Sequence, residues 1–507
     1  MILRLLAAGF SGLLLALGLP KFNLTFVLWV GLVPLFWALD GLRGRPAFLV
    51  GLVQGLVQNL VVFYWIVYVT VVYGKLPLPV GVILLVLLAA YLSLYRGVWA
   101  WLYRWGEDQG LTGLWWGPAL WVALEYLQTF LFTGFPWMLL GYGLESTRYL
   151  VQVVDLTGVY GLSALILLVN LGLWAALRGW SRLELVWQPV VAALVAFGVV
   201  LGYGYWRLPQ IQRLMDAAPT LTVAVVQGNI EQGRKWDPQY QGATLATYQE
   251  LNLQVKNQRP DLLVWPETAA PFFFLRDKEL TVRLVDLARQ SGTYLLFGSP
   301  AMEFGPQGDF FYNRAYLLNP AGEVTGFYDK AHLVPYGEYV PLRRFFPFIG
   351  KMVPMVGDFA AGPPGVVLAL PQAGLGTLIC FESIFPYLSR AMVNNGASLL
   401  VNLTNDAWFG TTSAPYQHLS MAQLRAVEHR RSLARAANTG ISALITPDGG
   451  TVWASKLFTA TVGVAKLPLL SLPTVYSKYG DVFAGTCASL SLIGGLLALV
   501  AAWRRVR

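Results

Sequence analysis

Seven long apolar runs crowd the first 207 residues of this 507-residue chain. A membrane span needs about 20 mostly apolar residues. The runs at about 2–19, 24–41, 47–72, 77–102, 112–132, 158–177 and 187–205 each come close to or exceed that length, and an eighth lies at about 481–502. Charged residues make up only 12% of the chain, against roughly 25% in ordinary soluble proteins. The first run has Arg4 as its whole basic region and a poor cleavage site at Gly18-Leu19-Pro20, so it reads as a retained span. The expected architecture is an integral-membrane α-helical bundle of eight transmembrane helices carrying one further domain. Its divisions are a seven-helix region over 1–207, a catalytic domain over 208–475, and the eighth helix with a short tail over 476–507.

Orientation follows from Lys and Arg in the short loops, which favour the cytoplasmic side. With a cytoplasmic N-terminus, the inner segments hold Arg4, Arg43, Arg45, Arg104, Arg178, Arg182, Arg504, Arg505 and Arg507. The outer segments hold Lys21, Lys75 and Arg148. Both termini are therefore expected inside and the 208–475 segment outside the cytoplasm. Many of the basic residues behind the net charge of +9 serve this topology, so nucleic acid is not an expected partner.

The 208–475 segment changes character: charges, Pro-Gly turns and short β-rich runs appear. Leu221–Val226, Leu262–Trp265, Tyr294–Phe297, Gly376–Ile379 and Ser398–Asn402 read as buried strands, with amphipathic helices near 241–257, 278–290, 385–395 and 415–430. Strands and helices in one domain predict an α/β or layered α+β sandwich.

Three residues in this segment stand out by position. Glu267 closes Leu263-Val-Trp-Pro-Glu267 at the end of a strand, Lys330 lies in Tyr328-Asp-Lys-Ala-His, and Cys380 closes Gly376-Thr-Leu-Ile-Cys380 before a helix. A thiol at a strand-to-helix turn is exposed and faces amides that favour its thiolate. Glu267 can take the thiol proton, and Lys330 can stabilise an oxyanion. Each has a plainer reading: a small buried hydrophobe, a loop carboxylate, a solvated lysine. Their weight comes from occurring together, each in a distinctive string. Cys380 and Cys487 are the only cysteines, and neither has a C-x-x-C partner, so no disulfide framework or zinc site is implied. His332, His418 and His429 lack close ligand spacing; no metal and no cofactor are expected.

The strings Val264-Trp-Pro-Glu267, Tyr328-Asp-Lys330, Pro335-Tyr-Gly-Glu338 and Ile379-Cys-Phe-Glu382 resemble the carbon–nitrogen hydrolase (nitrilase) superfamily. Within it, the whole chain resembles the apolipoprotein N-acyltransferase family. The likeness extends to Thr133–Tyr142, Val225–Asn229, Asn402–Gly410 and Arg431–Ser442. Phe381 departs from the tyrosine that often follows the cysteine there, which leaves the triad intact but alters a wall.

The resemblance implies a nitrilase-like four-layer α-β-β-α sandwich, lying on the periplasmic face of a bacterial inner membrane. It implies Glu267 as general base, Lys330 as oxyanion stabiliser and Cys380 as nucleophile. Glu338 and Glu382 match supporting glutamates, and Trp236 matches a tryptophan associated with substrate. The implied partners are a phospholipid acyl donor, typically phosphatidylethanolamine at sn-1, and a diacylated apolipoprotein acceptor, joined by ping-pong transfer through a thioester. A monomer is expected.

Other residues read less sharply. Pro271–Leu275, Phe345–Ile349 (Phe345 and Phe346 above all) and Met352–Val356 are apolar strings suited to a lid at a bilayer surface. Arg343 and Arg344 beside them suit lipid phosphates. Ordinary core or subunit contacts are the alternative. Asn405, Asp406 and Trp408 follow a strand, where site walls are often built; a structural turn fits nearly as well. Trp137 and Tyr142 suit either substrate lipid or an interfacial aromatic belt. Glu125, inside the fifth run, calls for a structural partner within the bundle, and His418 is assigned no chemistry. Two rivals remain: a membrane-tethered amidase acting on a small soluble substrate, and a transporter with a non-catalytic domain. Eight runs exceed the needs of a tether, and an intact Glu–Lys–Cys set argues against the transporter.

Overall fold

The computed structural model describes residues 1–179, 183–305, 308–339 and 359–506. Arg343, Arg344, Phe345, Phe346 and the 352–356 string of the expected lid lie outside the described residues, as do Arg182 and Arg507. The remaining string of that lid, Pro271–Leu275, is not a surface loop of apolar side chains: Phe272 and Phe274 are buried in the core beside the first sheet. The chain divides into two compact units, Met1–Pro209 with Tyr479–Arg507, and Gln210–Lys478.

Among the described residues, five helices are long and apolar enough to cross a membrane: Gly44–Val62, Leu78–Asp108, Val159–Arg178, Trp187–Ala217 and Val482–Arg505. The other three expected spans are shorter as helices. Ile2–Gly18 has 17 residues and Gly113–Gln128 has 16. The 24–41 run is a 3-10 turn, Thr25–Trp29, followed by a short helix, Val33–Leu39, with Pro34 in its first turn. A proline there has no N–H to continue a helix from the preceding turn. Asn170, on Val159–Arg178, takes up the backbone groups freed at the break. Its amide donates to Leu28 O at 2.8 Å, and its Oδ1 accepts from Leu32 N at 2.8 Å. Polar backbone in an apolar bundle needs such a protein partner, because lipid offers none.

Glu125 has the bundle partners its position calls for. Its Oε1 accepts from Trp121 Nε1 at 2.9 Å and from Leu140 N at 3.0 Å, and lies 3.4 Å from Arg96 Nη2. The Arg96 guanidinium also stands 3.6 Å from the Trp121 ring centroid, so each charge meets a neighbour that compensates its burial.

Among the described residues, the second unit contains twelve strands: β1 (Thr220–Gln227), β2 (Leu262–Val264), β3 (Tyr294–Gly305), β4 (Gly308–Leu318), β5 (Val324–Asp329), β6 (Val367–Ala369), β7 (Gly374–Ile379), β8 (Leu399–Thr404), β9 (Ser432–Ala437), β10 (Ala443–Ile445), β11 (Thr451–Ala454) and β12 (Thr461–Pro468). They form two six-stranded sheets, ordered β12-β1-β2-β3-β4-β5 and β11-β10-β9-β8-β7-β6. Each sheet has a parallel trio, β1-β2-β3 or β7-β8-β9, extended by antiparallel strands on both sides. The sheets meet face to face, β1 on β9 and β4 on β7.

The outer faces carry helices. Leu245, Tyr248 and Leu251 of Pro238–Val255 join Leu284 and Leu287 of Lys278–Ser291 in one core with Leu263 and Leu295 of the first sheet. Ala422 and Ala426 of Ala414–His429 join Leu400 and Leu433 of the second. The result is a four-layer α-β-β-α sandwich. Covered on both faces, β8 and β9 are buried along their whole length, which is why such strands read as continuous runs rather than alternating ones.

Candidate active site

The chemistry-bearing residues gather at the carboxyl ends of parallel strands and their neighbours. Glu267 follows β2, Lys330 follows β5, Cys380 follows β7 and Asn405 follows β8. Two turns there take left-handed backbone at non-glycine residues, with φ of 48° at Thr268 and 53° at Cys380. That conformation costs free energy and is held only when the surroundings over-determine it. Gly298 on β3 makes room for the first turn, since a Cβ there would collide with the main chain of Glu267 and Thr268.

Around Lys330 the side chains form one buried cluster. Its Nζ stands 2.9 Å from Glu338 Oε1 and 3.6 Å from Glu267 Oε1, with the lysine side chain 1% exposed. Asn313, on β4, ties the two carboxylates together, its Nδ2 donating to Glu267 Oε1 at 2.7 Å and to Glu338 Oε1 at 2.9 Å. Glu267 Oε2 accepts from Asn405 N at 3.0 Å, and Glu338 Oε2 accepts from Val334 N at 2.8 Å. Burial alone lowers the affinity of Lys330 for its proton, but Glu338 and Glu267 outweigh it, so the ammonium is held well above the usual lysine range.

Cys380 opens the 3-10 turn Cys380–Ile384 and is buried. Burial pushes its thiol up, and the adjacent Glu267 pushes the same way, while Lys330 pulls down. Contrary to what a strand-to-helix turn suggests, the surroundings are buried and favour the thiol over the thiolate, so a base is called for. Its carbonyl accepts from His418 Nε2 at 3.0 Å and Ser383 Oγ at 3.1 Å, which fixes the strained turn. Glu382 fixes it from the other side. Its Oε2 accepts from Ile379 N at 2.7 Å, and its Oε1 accepts from Tyr328 OH at 2.8 Å, Ala331 N at 2.7 Å and His332 N at 3.0 Å. One carboxylate thus bonds the segment before the cysteine to the segment after the lysine. Burial pushes Glu382 up to about 7, against the donated bonds that favour its charge.

The remaining expected site residues fall into three groups. Asn405 bridges Gln232 and Asn438, at 2.7 Å and 3.1 Å. Asp406 is buried beneath Cys380, accepting from Arg435 Nη2 at 2.7 Å and lying 3.0 Å from His418 Nδ1. Trp408, two residues on, is half-buried, and the Trp236 indole is 48% exposed. Trp137 and Tyr142 belong to the helical unit, where both are buried; Trp137 stacks on Phe135 with centroids 6.1 Å apart. Arg343, Phe345 and Phe346 lie outside the described residues.

Residue-by-residue reading missed four side chains. Asn313 holds both carboxylates, Lys235 donates to Glu267 O at 3.1 Å, Arg435 holds Asp406, and His418 bonds the Cys380 carbonyl. Two signals existed: Asn313-Arg314 puts consecutive polar residues inside an aromatic strand, and Lys235 directly precedes Trp236. Among the described residues, no group of three or more His, Cys, Asp or Glu is placed to hold a metal ion. The cluster suits acyl chemistry: a thiol, a carboxylate to deprotonate it, and a charged donor for an oxyanion.

Residues 11–173 match the family described as apolipoprotein N-acyltransferase N-terminal domain, and residues 222–474 match carbon-nitrogen hydrolase. The apolipoprotein N-acyltransferase of Geobacter metallireducens is 44% identical over 497 residues, covering 97% of this chain and 95% of that protein. Its counterpart in Brucella suis biovar 1 is 34% identical over 470 residues, 88% of this chain and 86% of that one. Among solved structures, an amidase from Nesterenkonia sp. is 24% identical, covers 51% of this chain and 92% of its own, and superposes with a TM-score of 0.37. Kinship over nearly the whole length of both proteins settles the family: this chain is a member of the apolipoprotein N-acyltransferases.

Proposed function

We propose that this enzyme transfers a fatty acyl group from a phospholipid to the α-amine of an S-diacylglyceryl-cysteine at an apolipoprotein N-terminus, by way of a thioester on Cys380. The observation that carries the reading is the buried Glu267–Lys330–Glu338 cluster, within electrostatic reach of the Cys380 thiol.

In the first half-reaction Glu267 takes the thiol proton. The thiolate attacks the ester carbonyl at sn-1 of phosphatidylethanolamine, forming a carbon–sulfur bond and an oxyanion stabilised by Lys330. Collapse breaks the ester carbon–oxygen bond, and the glycerol oxygen leaves with the proton held by Glu267. In the second, the α-amine attacks the thioester and gives a proton to Glu267. The carbon–sulfur bond breaks as the amide forms, and the thiol is restored. Splitting one acyl transfer into two easier steps is what a covalent nucleophile provides.

Glu338 and Glu382 orient the lysine and the cysteine. Trp236, exposed beside the cluster's Lys235, contacts substrate, as does Trp408, with Asn405 and Asp406 as the buried support of the β8 turn; Arg343, Phe345 and Phe346 contact lipid, and so, in the helical unit, do Trp137 and Tyr142. The enzyme is a monomer spanning the bacterial inner membrane eight times, with both termini cytoplasmic. The 1–207 and 476–507 segments form the bundle, and 208–475 is the periplasmic catalytic domain. The five long apolar helices support this reading.

Intact-protein mass spectrometry with phosphatidylethanolamine tests the chemistry. The expected result is an acyl adduct on the native protein, labile to hydroxylamine, discharged by a diacylated lipopeptide and missing from Cys380→Ala. Discharge by water at the same rate would make the enzyme a lipid hydrolase, and no adduct on folded protein would overturn the thioester.

A further inference from the structure

Lys235 lies at the end of the one-turn helix Gln232–Lys235, between two residues already tied to the site. Gln232 holds Asn405, and Trp236 is exposed beside it. The Lys235 side chain turns inward instead and is 1% exposed. Its Nζ donates to the main-chain oxygen of Glu267 at 3.1 Å. An ammonium has three donors, and Lys235 has no carboxylate within 4 Å among the described residues. A buried charge without a close counter-ion is costly, so a lysine held there carries a cost that a neutral side chain would avoid.

The charges around Cys380 give that cost a purpose. Glu267 and Glu338 share one ammonium, Lys330, so this trio carries one net negative charge when ionised. Asp406 adds another carboxylate facing the sulfur, although Arg435 offsets it. Forming a thiolate in these surroundings adds like charge to like charge. Lys235 feels both groups: burial pulls it down to about 8, while Glu267 and then Cys380 hold it up.

We propose that Lys235 is the second cation of the site, a positioning residue that anchors the Glu267 main chain and offsets the charge formed on Cys380. With that charge shared between two cations, Lys330 keeps a donor for the substrate oxyanion. The proposal rests on the assignment of Glu267 and Cys380 given above, and its test separates the two.

The test is alkylation of Cys380 by iodoacetamide as a function of pH, in the full-length protein in detergent micelles with Cys487→Ser as background. It needs no lipid substrate. Lys235→Met and Lys235→Gln are expected to slow labelling about tenfold at each pH below the thiol's own titration, the effect of losing one nearby cation. Lys235→Arg, which keeps the charge, should recover most of the rate. Lys235→Gln keeps a donor for Glu267 O and is the gentler variant if Lys235→Met does not fold. Wild-type labelling in Lys235→Gln would overturn the proposal, as would equal slowing in Lys235→Arg and Lys235→Gln. Failure of the Cys380 assignment reads out elsewhere, as an acyl adduct that survives Cys380→Ala.

Discussion

Lys330 is bound more closely to Glu338 than to Glu267, at 2.9 Å against 3.6 Å. The lysine proposed to meet the oxyanion is therefore placed by a carboxylate other than the proposed base. Glu338 is itself held by Val334 N and Asn313, so the ammonium has little freedom to follow a different partner. Glu338→Gln should lower the rate of thioester formation about 100-fold, the cost of a catalytic group displaced by about an ångström. Single-turnover acylation followed by mass spectrometry measures it. A rate within a fewfold of wild type would show that Glu267 alone is enough to place the lysine.

Asn313 donates to both carboxylates from one nitrogen, and so it lets two like charges share one lysine. Asn313→Ala removes both bonds, each to an ionised acceptor and worth about 1.5–3 kcal/mol. Asn313→Asp removes them and adds a third carboxylate. The aspartate variant should accordingly be the slower of the two in acyl transfer, although it matches the native side chain better in shape. The reverse order would mean that side-chain volume at this position matters more than charge.

Much of this cluster was legible because Glu267, Lys330 and Cys380 each follow a strand in a recognisable string. The Glu, Lys and Cys positions follow from chain order, and β1, β2, β7 and β8 begin and end within a few residues of their apolar runs. What escaped was the support. Asn313 sits mid-strand, and its relation to Glu267 is set by the pairing of β3 with β4, which no local pattern encodes. His418 bonds the Cys380 carbonyl from a helix 38 residues away. In the bundle, the 24–41 run has the composition of a span, but its break depends on an amide from Asn170, about 140 residues further along the chain. Hydropathy reports where apolar residues lie, and it says nothing of which backbone groups another helix will satisfy.

Asp406 ties acid stability to the support of Cys380, whose carbonyl it reaches through His418. Burial raises its affinity for a proton, but Arg435 and then His418 overcome that and hold the carboxyl well below the usual carboxylate range. A carboxyl depressed in the fold contributes stability that is present above its unfolded value, about 3.9, and is lost as pH falls through the folded one. Asp406→Asn leaves the buried Arg435 without its anion and should cost about 3 kcal/mol at pH 7. Thermal unfolding in detergent should show the gap between wild type and variant unchanged from pH 7 to 5 and narrowing below about pH 4. A gap that stayed constant into acid would mean that the variant loses packing rather than charge.

Glu125 offers the corresponding test in the helical unit. Its Oε1 serves Trp121, Leu140 N and Arg96 together, and Arg96 also lies over the Trp121 ring. Removing one member of a buried pair leaves the other uncompensated, at about 3–5 kcal/mol, whereas replacing both with apolar residues of similar volume is often neutral. Glu125→Ala should thus lower the unfolding temperature sharply, and Glu125→Gln less so, since its amide oxygen still accepts from Trp121 and Leu140. The double variant Arg96→Met with Glu125→Met should recover much of the loss seen in Glu125→Met alone. Additive losses in the double variant would show that each residue is kept for contacts of its own, with Leu140 N for Glu125 and the Trp121 ring for Arg96, and that the ion pair between them stabilises little.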